Sequence, residues 1–260
     1  MGDLYIFVTT NRPDQYLNSI VYCIEKGTRN IVFVQVEDDQ NKQIPLNLIH
    51  TNVYNLLQDL SRGFYKYYTE PDKDKVVQLD EKYSIETLSN LKAKYSLCLT
   101  DEVNWMIKRV QYSNLRNYIS SIKKSKNCIF DVTSVKKAYI GDIFACSLLE
   151  NIEELYTFEL LENPNFEEPW KTLIHELEKG KKYKYKNLVE TPIFKESKKT
   201  ILIRTTPLLG SIIGTILFIA ITLTASFIFG FGSVFVQVMG TVGTVLGIIS
   251  FFLIYFPVRD

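Results

Sequence analysis

LYIFVTTNRPDQYLNSIVYCIEKGTRNIVFVQV, residues 4–36, is the stretch whose reading decides the fold. Leu4–Thr9 is a largely apolar run of strand length, and Thr10-Asn11-Arg12-Pro13 is a polar turn. From Asp14 the pattern becomes helical, with Leu17, Ile20, Val21 and Ile24 on one face, and Gly27 ends it. Asn30–Val36 is a second strand. Strand, helix, strand within this length is a βαβ unit, and strands apolar throughout belong to a parallel sheet covered on both faces.

The same logic returns downstream. Cys128–Val132 reads as a strand, Thr133-Ser134-Val135-Lys136-Lys137 as a polar, basic turn, Ala138–Leu149 as a helix and Leu155–Leu160 as a strand. Two βαβ units predict an α/β fold, a Rossmann-like, mostly parallel sheet with helices on both faces. Between the units, Asp38–Gln43 is a polar loop, Leu46–Tyr68 is mainly helical, Val76–Leu79 is a short strand, and Ile85–Tyr95 is a helix. Val103, Met106, Ile107, Val110, Leu115, Tyr118, Ile119 and Ile122 recur close to every 3.6 residues, which predicts a helix over Val103–Ile122. Leu161–Pro169 is an acidic linker, and Trp170–Leu177 is a short helix.

The end of the chain is different. From Thr205 to Val258 there is no Asp, Glu, Lys, Arg or His. Two apolar runs, Pro207–Phe229 and Val234–Phe256, flank Gly230-Phe231-Gly232-Ser233. A spanning helix needs about 20 residues at ~1.5 Å each to cross ~30 Å of hydrocarbon, and both runs reach that length. The expectation is a two-helix transmembrane hairpin. Lys195, Lys198, Lys199 and Arg204 before it and Arg259 after it place both termini in the cytoplasm, at the inner (plasma) membrane. The domains expected are a Rossmann-like sensor domain over 1–160, a linker and basic juxtamembrane segment over 161–200, and the hairpin over 201–260. Lys181–Lys199 holds seven Lys and two Glu. Its Lys-Tyr run, Lys181–Lys186, is expected at the inner leaflet, where cations meet anionic lipid; nucleic acid is the less favoured partner.

In an open α/β sheet, ligands sit beyond the carboxyl ends of the strands, where loops lead into helix N-termini that favour anions. Thr9, Thr10, Asn11 and Arg12 form one such loop, and Thr133, Ser134, Lys136 and Lys137 form another, with Asp131 at the end of its strand. An anionic, nucleotide-like ligand fits hydroxyls and cations so placed; ordinary turn and cap residues are the competing reading. GxGxxG, GxxxxGK[ST] and GxSxG are absent, and the paired acids sit in loop-like contexts, so no catalytic constellation emerges. Cys23, Cys98, Cys128 and Cys146 form no CxxC pair and read as reduced core thiols. With His50 and His175 alone, no His-based metal site is expected. No cofactor is expected.

Phe130-Asp131-Val132-Thr133-Ser134-Val135-Lys136-Lys137, after a strand and before a helix, resembles the CRISPR-associated Rossmann-fold (CARF) sensors and related cyclic-oligonucleotide sensors of prokaryotic antiviral defence. Leu4–Thr10 occupies the corresponding first ligand loop. Many members carry glycines between the Thr and the Lys, where this chain has Ser134-Val135. The resemblance implies a ligand pocket across a homodimer, contacted by Thr133, Ser134 and Lys136 with Thr10 and Asn11. Some such sensors carry membrane helices as their output module, which agrees with the hairpin.

In the hairpin, Ser211, Thr215, Thr222 and Ser226 fall within roughly 60° of one another at 100° per residue. Gln237, Thr241 and Thr244 make a second polar stripe. The stripes serve either plain packing of the hairpin or contacts in an oligomer that perturbs the membrane. The function expected is a sensor–effector, a dimer or higher homo-oligomer that binds a cyclic oligonucleotide or other phosphorylated small molecule and acts on the lipid bilayer. The alternatives are a membrane-tethered nucleotide- or nucleic-acid-processing enzyme and a passive membrane scaffold.

Overall fold

A computed structural model describes residues 2–38, 45–67, 74–123, 128–172, 180–202, 205–230 and 232–255; the side chains of 123, 199–202, 205–209, 211–212 and 250–255 are outside the described set. In chain order the elements of the first unit are β1 (Asp3–Val8), α1 (Asp14–Glu25), β2 (Asn30–Glu37), α2 (Leu46–Arg62), β3 (Phe64–Lys66), β4 (Val76–Gln78), α3 (Ile85–Leu97), β5 (Asn104–Gln111), α4 (Leu115–Lys123), β6 (Cys128–Asp131), α5 (Lys137–Leu149), β7 (Leu155–Leu160) and β8 (Tyr183–Asn187). They are followed by α6 (Pro192–Leu202), α7 (Thr205–Phe229) and α8 (Val234–Tyr255).

Six strands form one sheet in the order β5-β2-β1-β6-β7-β8, parallel except for the antiparallel pairing of β8 with β7. Counted along the chain these strands stand 3-2-1-4-5-6, the Rossmann order. β3 and β4 form a separate antiparallel pair. Leu4, Ile6 and Val8 of β1 join one hydrophobic cluster with Leu17 and Ile20 of α1, Leu56 of α2 and Leu91 of α3. Phe7 belongs to a second cluster with Ile119 of α4 and Ile143 of α5. The alternation along β1 buries successive side chains on opposite faces, each covered by helices, as the apolar strands require.

Several elements differ from the sequence expectation. The helix expected over Val103–Ile122 is β5 followed by α4. β5 pairs with β2 along its whole length, from Asn30↔Asn104 to Glu37↔Gln111. Trp105 and Ile107 pack on one cluster, and Met106 and Val110 belong to the other, a period of two that helical spacing of the apolar residues masks. As an edge strand β5 carries Lys108 and Arg109, charges that discourage further pairing. The helix expected to reach Tyr68 stops at Arg62, because Gly63 takes a left-handed conformation (φ +93°) and turns the chain into β3. The helix expected over Trp170–Leu177 lies mostly outside the described residues, which break off at 173–179; its described start belongs to a 3-10 turn, Pro169–Lys171. The loop expected at Asp38–Gln43 lies outside them from Asp39 on.

The Lys-Tyr run expected at the membrane is β8. Tyr183 and Tyr185 point into the sheet and are buried, while Lys184 is exposed. Tyr185 stacks on Tyr156 at 4.7 Å and Tyr183 on Phe158 at 4.9 Å. Cross-strand aromatic pairs of this kind hold an antiparallel strand in register. The segment expected as linker over 161–200 thus contains the last strand of the sheet.

The chain divides into two compact units, Met1–Phe194 and Lys195–Asp260. In the second, α7 and α8 fold back on each other. A Cβ at Gly243 would overlap the Phe218 ring, and the rings of Phe229 and Phe235 lie 5.6 Å apart. Among the described residues no helix is long and apolar enough to cross a membrane. The helix backbones themselves extend over 25 and 22 residues.

Candidate ligand site

β1 and β6 are adjacent and parallel, with Ile6 opposite Asp131, so both end at the same edge of the sheet. After β1 the chain enters α1 on one face; after β6 it enters α5 on the other. The strand order reverses between them, and the diverging connections open a crevice there, where α/β sheets hold their ligands.

The two loops at this edge are bonded to each other. Thr9 Oγ1 donates to the Ser134 carbonyl at 2.8 Å and accepts from the Lys136 N–H at 2.7 Å. Ser134 Oγ donates to the Gln15 carbonyl at 3.1 Å. Thr10 Oγ1 donates to Gln15 Oε1 at 2.8 Å, and the Tyr16 hydroxyl donates to the Thr10 carbonyl at 2.8 Å. Burial pushes the Tyr16 phenol up to about 12, so it stays a donor. Thr133 Oγ1 donates to Asp131 Oδ2 at 3.0 Å and accepts from the Phe158 N–H at 2.8 Å, joining the end of β6 to β7.

Asp131 is completely buried. Its carboxylate accepts from the Thr133 N–H at 3.0 Å, from the Thr133 hydroxyl and from the Tyr185 hydroxyl at 2.7 Å. Burial pushes its carboxyl up to about 6 against the opposing pull of these hydrogen bonds. Arg12 grips Asp14 with two prongs, Nε to Oδ1 at 3.1 Å and its terminal nitrogen to Oδ2. The Asp14 side chain is 2% exposed and that of Arg12 is 33% exposed. The hydrogen bond to Asp14 raises the Arg12 pKa, so the guanidinium remains charged.

Between these loops lies a cavity of about 230 Å³. Arg12, Asp14, Gln15 and Asn18 line it from the start of α1, and Thr133 and Ser134 from the loop after β6. Phe158 and Leu160 of β7 and Phe166 beyond it complete the wall. Of the residues singled out in the sequence, Arg12, Thr133 and Ser134 reach the cavity. Thr9, Thr10 and Asp131 hold the loops that frame it, and Asn11, Lys136 and Lys137 are exposed outside its lining. Asp14 and Asn18 were legible in principle, being i and i+4 on one helix face. So were Phe158 and Leu160, two apart on one strand face. No pattern in the sequence pointed to Phe166.

In the hairpin, the hydroxyls of Thr222 and Ser226 donate to the carbonyls of Phe218 and Thr222, each at 2.8 Å, and those of Thr241 and Thr244 to Gln237 and Gly240, each at 3.0 Å. These polar groups are therefore satisfied within their own helices. Thr215 and Gln237 are exposed, Ser226 is buried, and the Ser211 side chain lies outside the described residues.

No protein-family model matches the chain. No curated protein matches it either. Among solved structures, Enterococcus italicus Csm6 bound to cyclic hexa-2'-fluoro-hexa-dAMP aligns over 98% of this chain at 8% identity and a TM-score of 0.37. This chain spans 56% of the length of that one.

Proposed function

We propose that the chain is a membrane-anchored sensor–effector. The α/β unit binds a nucleotide second messenger, a cyclic oligonucleotide, in the cavity between the loops after β1 and β6. The hairpin crosses the inner (plasma) membrane with both termini in the cytoplasm and alters membrane integrity when ligand binds. The role fits antiviral defence, in keeping with the CARF-like run Phe130–Lys137. The observation that carries this reading is the cavity itself, which sits where the strand order reverses and is walled by both loops singled out in the sequence. Its volume is below the usual range for drug-sized ligands. It accommodates one unit of an oligonucleotide, and a second copy of the chain takes another, so the working form is a homo-oligomer. Support for the membrane part is the charge-free sequence from Thr205 to Val258.

The test uses the full chain in dye-loaded liposomes with mono-, di- and cyclic oligonucleotides. A ligand that binds only the folded state raises its apparent stability. The expected result is a thermal shift and dye release with one cyclic species and no turnover of it. Turnover without dye release favours the tethered enzyme. Neither shift nor release with any nucleotide removes the sensor reading.

A further inference from the structure

Resting on that reading, we infer that the cavity receives the base of the nucleotide rather than its phosphate, and that Phe166 is the platform on which the base stacks. The sequence points to an anion site because Arg12 in the first loop and Lys136 and Lys137 in the second stand just ahead of helix N-termini. In the folded chain the Arg12 cation is held by both oxygens of Asp14, whose side chain is almost wholly buried. The pair brings no net charge to the cavity wall. Lys136 and Lys137 are not part of the lining. The pocket's inner surface is therefore close to neutral, polar at α1 and apolar at Phe158, Leu160 and Phe166. A phosphate placed there would exchange water for a guanidinium already engaged by a carboxylate, which is unfavourable. A flat, uncharged ring with donors and acceptors on its edge matches both walls, with the amides of Gln15 and Asn18 on the polar side.

Phe166 has the position and the rigidity to stack such a ring. A single exposed phenylalanine needs no explanation. This one is 65% exposed, lines the cavity and rides on a braced turn. Asn165 Oδ1 accepts from the N–H groups of Glu167 at 3.0 Å and Glu168 at 3.1 Å. The Asn165 N–H donates to Thr172 Oγ1 at 3.0 Å, and the Tyr67 hydroxyl donates to the Glu167 carbonyl at 2.7 Å. Trp170, four residues on, is buried against Tyr65 and Tyr67. The backbone that carries the ring is thus held without the ordering cost a mobile loop would add on binding.

The experiment compares wild type, Phe166→Ala and Phe166→Trp as full chains in nanodiscs. The probes are the four ribonucleosides, their 5′-monophosphates, ribose 5-phosphate and inorganic phosphate. At its exposed position Phe166 can be replaced without opening the core. The expected result is nucleoside binding by wild type, about tenfold weaker in Phe166→Ala and restored in Phe166→Trp, with no competition by inorganic phosphate. Nucleotide binding that Phe166→Ala leaves unchanged, or that inorganic phosphate or ribose 5-phosphate displaces, overturns the inference while leaving the sensor reading in place. Absence of nucleoside and nucleotide binding to wild type also overturns the inference, while the sensor reading is decided separately by the liposome experiment with cyclic oligonucleotides.

Discussion

The Tyr185 hydroxyl donates to Asp131 Oδ2 across 2.7 Å, between the last strand of the sheet and the end of β6, just ahead of the loop that walls the cavity. Both residues are buried, and Asp131 also holds the N–H and hydroxyl of Thr133. Burial and the neighbouring carboxylate push the Tyr185 phenol well above its ordinary value, which keeps it a donor at every physiological pH. Replacing it by Phe leaves a buried carboxylate one donor short. The Tyr185→Phe chain is expected to lose about 1–3 kcal/mol of stability, read as a lower denaturant midpoint. An unchanged midpoint would show that the bond contributes nothing net.

Asp131 also makes stability depend on pH. Its folded-state carboxyl titrates at about 6, above the ordinary 3.8. A raised folded value means that the stabilisation is complete below the unfolded value and is lost as pH climbs through 6. Across that window the group costs on the order of 3 kcal/mol. Asp131→Asn, which never ionises, is expected to flatten the fall in thermal midpoint between pH 4 and 7 relative to wild type. Parallel profiles for the two proteins would refute the assignment.

The cysteines should separate by reactivity. Burial pushes the thiols of Cys23 and Cys98 up to about 12. Cys128 and Cys146 are half-buried, with smaller shifts in the same direction. With a thiol reagent at pH 8, Cys128 and Cys146 are expected to react slowly in the native chain, and Cys23 and Cys98 only after denaturation. Mass mapping of the modified sites checks the order.

In the hairpin, Gly243 admits the ring of Phe218. Gly243→Leu is expected to force the helices apart, at about 1–3 kcal/mol for an overpacked contact. Phe218→Ala in the same chain should recover the packing. The separation is read as slower migration of the hairpin in SDS gels. Equal migration of wild type and Gly243→Leu would rule the contact out as a determinant of the hairpin.

The elements that could be read in advance are those in which local pattern and tertiary role agree. β1, α1 and β2 are bounded by Asn11–Pro13 and Gly27, and their apolar residues bury as their spacing demands. β5 escaped because its apolar residues fit a helical stripe running on into α4, and only the open edge of β2 decides between the two. β8 escaped because Lys and Tyr in alternation read as a basic aromatic belt. The same alternation is a period of two, and Tyr183 and Tyr185 take its inner face. At the site, Arg12, Thr133 and Ser134 were legible from their place after strands. The pairing of Arg12 with Asp14 was not, since it depends on how the first turn of α1 folds, and it cancels the positive charge expected of the cavity.

The antiparallel course of β8 decides where the chain leaves the sheet. The five parallel strands all finish at the rim that holds the cavity, whereas β8 finishes opposite the beginning of β7, where Asn187 pairs with Tyr156. The splice to whatever follows is therefore made at the floor of the sheet and not at its mouth. The first unit nevertheless runs on to Phe194, whose buried ring packs edge-on against Phe144 of α5, so a chimaera that keeps this unit whole takes its cut after Phe194.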